Sequence, residues 1–301
     1  MLQQYGETVH HLQYLILIFN IVIEETTMNI NFNTYRSLRR PDKGYNDRIR
    51  FLVMHYTAAN FSASVNSLTG GAASAHYLVP DPTDRSYINA GFKDQQIFNL
   101  VDEKDRAWHA GTSTWGNRTN LNDSAIGIEI VNQATDIQGV FTFPPFNDRQ
   151  IEAVKALSLD ILQRYSDISP THVVGHADIA VGRKSDPGAA FPWKTLFDAG
   201  VGAWYDEEMK SAYMEQFTTA PLTQADMLIR FKKYGYDTSG AATDSAVYKK
   251  LVRAFQLHFR QSHYDGELDI ETSAILAALV KKYFNYPAEN PTTTQNTSSV
   301  I

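Results

Sequence analysis

The sequence predicts an α/β fold followed by a small C-terminal domain of three helices, and three observations carry that prediction. Two short apolar runs each lead into a histidine: Phe51-Leu52-Val53-Met54 before His55, and residues 172–174 shortly before His176. A third apolar run, residues 126–131, is separated from the second by an amphipathic stretch over residues 147–165, which is the strand, helix, strand order of an α/β layer. Beyond Pro221 apolar residues recur only at helical spacing, in three blocks.

Taken in order, residues 1–28 read as an extension outside the fold. Residues 14–23 (YLILIFNIVI) are strongly apolar but too short to cross a membrane, and no Lys or Arg precedes them as an export signal requires. Met28 reads as an alternative start, and residues 29–47 form a polar, arginine-rich surface wrap leading into the first strand, 49–55. Phe61, Val65 and Leu68 share a helical face that Gly70-Gly71 ends. Residues 75–79 are a strand closed by Pro80, residues 96–101 another, and Trp108-His109 form a loop suited to a cleft wall.

In residues 126–131, alternation puts Ile126, Ile128 and Ile130 on one face and Gly127, Glu129 and Val131 on the other. A carboxylate on so apolar a strand is costly to bury unless it is paired or used, which marks Glu129 as functional. The helix over 147–165 opens on a capping-box-like Asn147 and Gln150 and buries Ile151, Val154, Leu157, Ile161, Leu162 and Tyr165. Residues 205–221 read as a linker. The helices that follow cover 224–234, 247–259 and 271–283, with Asp265-Gly266 turning into the last. Their small size suits a binding module over 222–286, separable from a catalytic unit over 29–204, and the Thr- and Ser-rich tail 287–301 is expected to be disordered.

With 43% hydrophobic and 20% charged residues the chain has the composition of a soluble globular protein. A net charge of −6 without a basic stripe excludes a nucleic-acid footprint, and the absence of cysteine leaves only His, Asp or Glu to hold a metal. His176 stands at the mouth of its strand, and the loop after it, with Gly182, Arg183-Lys184 and Asp186-Pro187-Gly188, can fold Asp186 back toward it. His55 is the third candidate. Two imidazoles and one carboxylate with an open position form the ligand set of a catalytic zinc. The His172 to His176 spacing mimics that of helical zinc peptidases, but the intervening Val173-Val174-Gly175 favours a strand and lacks the required Glu.

The stretches FLVMHYTA, SAHYLV, AWHAG, LNDSAIGIEIVN and GHADIAVGRKSDPG resemble the zinc-dependent N-acetylmuramoyl-L-alanine amidases of the AmpD type, in order, from residue 29 to 204. Residues 222–284 are similar to the peptidoglycan-binding helical domain that some of these amidases carry, except that Asp269 replaces the second Gly of its Asp-Gly-x-x-Gly run. The resemblance implies a mixed β-sheet flanked by helices, with Zn2+ held by His55, His176 and Asp186. It makes Glu129 the acid/base and Lys184 the stabiliser of the oxyanion; His76, Trp108 and His109 are the further candidates for substrate binding. The implied partners are peptidoglycan and muropeptide fragments, without a transmembrane segment, and a homo-oligomer is a further candidate assembly. A zinc carboxypeptidase on the stem peptide and a non-hydrolytic peptidoglycan recognition protein are the competing readings. The resemblance places action in the periplasm, through export like that of signal-less relatives delivered by type VI secretion. A secretion-apparatus or immunity partner would follow from it. The alternatives are a cytoplasmic recycling amidase, or residues 14–23 serving as a weak signal.

Overall fold

The structure is a computed structural model that describes residues 47–287. The predicted extension 1–28, the surface wrap up to residue 46 and the tail beyond 287 lie outside the described residues.

Strand β1 (Phe51–Tyr56) is apolar except at its end, and helix α1 (Phe61–Thr69) follows, capped by the Asn60 side chain. Next come β2 (Tyr77–Val79), the short α2 (Arg85–Asn89) and β3 (Phe98–Asn99). A small hairpin, β4 (Thr114–Trp115) with β5 (Arg118–Thr119), precedes β6 (Ala125–Ile130), and β7 (Thr135–Ile137) with β8 (Val140–Thr142) makes a second. Helix α3 (Asp148–Arg164) leads through a 3-10 turn at Pro170–His172 into β9 (Val173–Gly175). Two short helices, α4 (His176–Ile179) and α5 (Trp193–Asp198), break the stretch that reads as loop in sequence. The chain then runs through α6 (Glu207–Thr219), α7 (Gln224–Tyr234), α8 (Ser245–Phe259) and α9 (Ile270–Phe284).

The main sheet has the order β3-β2-β6-β1-β9. Strands β2, β6, β1 and β9 are parallel and β3 closes one edge antiparallel, so the sheet is mixed, as expected. Parallel strands buried on both faces need continuous apolar runs, and FLVM and AIGI supply them. Ile126, Ile128 and Ile130 share one buried cluster with Val154, Leu157 and Ile161 of α3. A second cluster, with Phe61, Leu68, Leu78 and Tyr87, lies under α1 and α2.

Three expectations are corrected. Asn147 does cap α3 by accepting from the Arg149 amide, but Gln150 is no capping-box partner. Its amide donates to the carbonyls of Val79 and Val131, so the side chain ties α3 to the ends of β2 and β6, where the Val79 carbonyl also accepts the Val131 amide. Residues 205–221 are not a linker, because they contain α6, whose Tyr213 and Phe217 pack on Ala274, Ala277 and Ala278 of α9. The C-terminal helices, finally, are not a detached bundle. Residues 47–287 belong to one compact unit, and a single buried cluster holds Trp115, Trp193 and Ile179 together with Tyr236, Phe255 and Leu251.

This seam is polar as well as apolar. Gly116 donates its amide to the Gly235 carbonyl at 2.6 Å, and the Gln261 side chain donates to the carbonyls of Ala189 and Phe191. Burying each large ring of the seam stabilises by about 2 kcal/mol. Deleting residues from 222 onward is therefore expected to abolish soluble, cooperatively unfolding protein. Thermal melting followed by near-UV circular dichroism checks this, and a truncated chain with an unchanged melt would contradict the shared core.

Candidate active site

Parallel register sets the site. His55 on β1 is the Cα partner of Glu129 on β6, and Met54 is the partner of Gly175 on β9, which leaves His176 at the next step, level with His55. Glu129, His55 and His176 thus form a row across three neighbouring strands at their C-terminal ends, where open α/β sheets present ligand sites. Asp186 reaches the row because the loop after α4 doubles back, latched where the Ala177 amide donates to the Asp186 carbonyl at 2.8 Å. His55 Nδ1 lies 3.1 Å from His176 Nδ1 and 2.9 Å from Asp186 Oδ2, and His176 Nδ1 lies 3.0 Å from the same oxygen. These three buried groups could hold a metal ion.

The remaining ring nitrogens show that the donor set fits a metal. His176 Nε2–H donates to the Ala110 carbonyl at 3.0 Å, which leaves Nδ1 with its lone pair toward His55 and Asp186. His55 Nε2 meets His109 Nδ1 at 3.0 Å. Burial, with the His176 charge adding to it and the Asp186 hydrogen bond opposing, pushes the His55 pKa down to about 4, so its imidazole is neutral and free to ligate near neutral pH. Burial alone would raise Asp186, but the neighbouring His176 ring first, and the His55 ring second, outweigh it and hold the carboxyl well below the usual range.

Glu129 behaves in the opposite way. Burial first, and the Asp186 charge second, push its pKa well above the usual value, with Lys184 pulling weakly the other way. Its Oε1 is 4.0 Å from His55 Nδ1, while Oε2 is buried with no hydrogen-bond partner among the described residues. A carboxyl group kept basic, unpartnered and beside a candidate metal is suited to carrying a proton.

Supporting residues fix this geometry. Gly127 leaves the floor open, since a Cβ there would come within 2.5 Å of the His109 ring. Asn122 Oδ1 accepts the amides of His109 and Ala110 at 3.1 and 2.7 Å and shapes that loop. Arg183 donates to the carbonyls of Ala110 and Thr112. Asp178, two residues beyond His176, ties the site to the C-terminal helices: it accepts the Gly175 amide at 2.7 Å, the Tyr236 hydroxyl at 2.6 Å and pairs with His258 Nδ1 at 2.7 Å. Sequence reasoning missed Asn122, Asp178, Tyr236 and His258, and only the adjacency of Arg183 to Lys184 signalled a member of this group.

The row opens on a cleft of about 580 Å³ lined by Trp108, His109, Glu129, Ile137, Lys184 and Asp186, among others. Trp108 is 55% exposed and presents a flat apolar face at the rim. His76 does not belong there. It is fully buried, its Nδ1 accepts the Gly127 amide at 3.1 Å and its Nε2 faces the Asp105 carbonyl, so it bridges β2 to β6 inside the protein. Its assignment to substrate binding is therefore corrected.

This fold and site define an α/β amidase domain of peptidoglycan hydrolases, and residues 45–189 match the family described as N-acetylmuramoyl-L-alanine amidase. The chain belongs to that family. It is 42% identical over 247 residues to N-acetylmuramoyl-L-alanine amidase AmiD of Escherichia coli (strain K12), covering 81% of this chain and 87% of the relative. The crystal structure of AmpDh3 from Pseudomonas aeruginosa, solved also in complex with anhydromuramic pentapeptide, superposes with a TM-score of 0.81 at 56% identity over 85% of this chain and 99% of that one. E. coli AmiD, solved with the substrate anhydro-N-acetylmuramic acid-L-Ala-D-gamma-Glu-L-Lys, gives a TM-score of 0.73 at 41% identity over 81% and 93% of the two chains. Among the described residues no helix is long and apolar enough to cross a membrane.

Two outcomes follow from the electrostatics. Because the Glu129 pKa is raised on folding, the folded state favours the protonated form, and that contribution is lost as pH rises through the folded pKa. Glu129→Gln in metal-free protein is therefore expected to raise the melting temperature at neutral pH and to leave it nearly unchanged near pH 4, read by calorimetry at both values. Asp178→Ala leaves the Gly175 amide, the Tyr236 hydroxyl and His258 without their buried acceptor. A loss of about 3 kcal/mol in urea unfolding is expected. A change within 0.5 kcal/mol, the range of an ordinary surface substitution, would show that the network carries no strength.

Proposed function

We propose that this chain hydrolyses the amide bond between the N-acetylmuramoyl lactyl group and L-alanine of the peptidoglycan stem peptide. One observation carries the reading: Glu129 stands in register beside His55, with a buried oxygen unpartnered among the described residues next to the His55, His176 and Asp186 donors. Family membership and the muropeptides bound by AmiD and AmpDh3 support the substrate class.

The residues that would hold zinc are His55, His176 and Asp186, two imidazoles and one carboxylate. When bound, zinc supplies Lewis acidity toward the amide carbonyl oxygen and the attacking water. Glu129, kept basic by burial, removes the proton of the water and returns one to the departing L-alanine nitrogen, which an amine leaving group requires. Lys184 lines the cleft as a cation that offsets charge developing on the carbonyl oxygen. The exposed Trp108 ring offers a stacking face for the sugar, and His109 holds His55 in orientation through its ring nitrogen.

Mass spectrometry of muropeptides digested by the purified protein tests the reaction, with stem peptides bearing a free L-alanine amino group as the expected product. Cleavage within the stem peptide would replace this reading by a carboxypeptidase. Glu129→Gln is expected to keep stoichiometric metal and to lose roughly a hundredfold to ten-thousandfold in turnover. Alanine at His55, His176 or Asp186 is expected to lose the metal itself, measured by elemental analysis; near-complete retention in all three would remove the ligand assignment.

A further inference from the structure

Beside the reaction cleft lies a second cavity of about 220 Å³, enclosed by the β7–β8 hairpin, the loop 182–185 and α8. Asp136, Arg183, Lys184 and Ser185 line both cavities, so the second is a side chamber of the first. Its charged lining is one-sided: Arg183, Lys184, Lys250 and Arg253 against the single carboxylate of Asp136. In a chain of net charge −6 such a concentration of cations is a local feature rather than a reflection of composition.

The cations are held but not neutralised. Arg253 lies over the Phe141 ring, 5.3 Å from its centroid, and donates to the carbonyls of Tyr264 and Asp265, which fixes the guanidinium without supplying a counter-charge. The stem of Lys250 lies across Gly182, where a Cβ would come within 2.6 Å of Lys250 Cδ. Whereas Lys249 is paired with Glu267, Lys250 forms no salt bridge among the described residues. Several cations facing one solvent-open chamber, with a single carboxylate among them, make it locally positive and favour an entering anion.

We propose that this chamber is an anion subsite for a free carboxylate of the stem peptide, with Lys250 and Arg253 of α8 as its recognition groups. The inference rests on the proposed substrate class. Once the lactyl carboxyl is consumed in the scissile amide, the muramyl side offers no anion, whereas the peptide side does. In the substrate bound by AmiD, a glutamate linked through its γ-carboxyl keeps its α-carboxylate free, and the terminal lysine carries a second. At up to about 3.5 Å per residue the α-carboxylate lies well under about 10 Å from the L-alanine nitrogen, and the terminal one, past the longer γ-glutamyl segment, on the order of 12 Å, both within reach of an adjoining chamber. Helix α8 thereby contributes to specificity although every candidate metal donor comes from residues 55–186.

The test is calorimetric binding of the tripeptide L-Ala-γ-D-Glu-L-Lys to the full chain, with its α-carboxamide and its terminal carboxamide as controls, for wild type, Lys250→Ala and Lys250→Arg. Lys250 is exposed, so the substitutions leave the core intact. Lys250→Ala is expected to weaken binding of the free acid about fivefold, with Lys250→Arg restoring it, as a charge-assisted contact requires. The effect should vanish on whichever amide removes the recognised carboxylate, which identifies the α or the terminal group. An equal change on all three peptides, no change, or no binding by the wild type would overturn the subsite. If the wild type cuts muropeptides elsewhere than the lactyl amide while Lys250 still discriminates acid from amide, the hydrolytic reading fails and the subsite stands.

Discussion

The in-register parallel pairing of β6, β1 and β9 is the constraint on which the rest depends. A slip of one residue in any strand would turn its functional side chain to the opposite face. The strands are excluded from water on both faces, and β1 is tied to β6 at both ends, where the Arg50 amide donates to the Ser124 carbonyl and the Thr57 amide to the Ile130 carbonyl. Only with that alignment do Glu129, His55 and His176 share a row. Asp186 then needs nothing more than a short loop to join them.

Much of this was legible because its signals are local. An apolar run ending in a histidine, and a glutamate between isoleucines, announce both the strand and the exception to it within a few residues, and the α/β class follows from their order. His76 shows where such reasoning stops. It too sits beside an apolar strand, but its partner is the Gly127 amide across the sheet, which makes it a structural bridge. The misread linker fails for a related reason: among the residues of α6 only Tyr213 and Phe217 are buried, and their complement is a run of alanines on α9 far along the chain. No local pattern could disclose the meeting of Asp178 with His258, 80 residues apart.

That meeting changes how the C-terminal helices are understood. A binding module on a flexible linker would act by raising effective concentration alone. Here α8 places His258 against Asp178 and stacks it 3.8 Å from the Trp193 ring, while Tyr236 completes the same carboxylate. The departure at Asp269 fits this integration, because its side chain caps α9 through the Thr272 amide and pairs with Arg260. The position is spent on holding the helix.

The two carboxylates of the site show how one small volume sustains opposite protonation tendencies. Asp186 and Glu129 are both withdrawn from water and repel each other, so the environment must choose which carries the charge. It chooses by contact: Asp186 lies 2.9 and 3.0 Å from two imidazole nitrogens, whereas Glu129 has an oxygen with no hydrogen-bond partner among the described residues. Leaving that oxygen unsatisfied costs stability, and a fold selected for stability alone would place a neutral side chain on β6 at this position. The cost is localised at the point where a proton must be taken and returned, so the least satisfied atom of the strand is also the one best placed for chemistry.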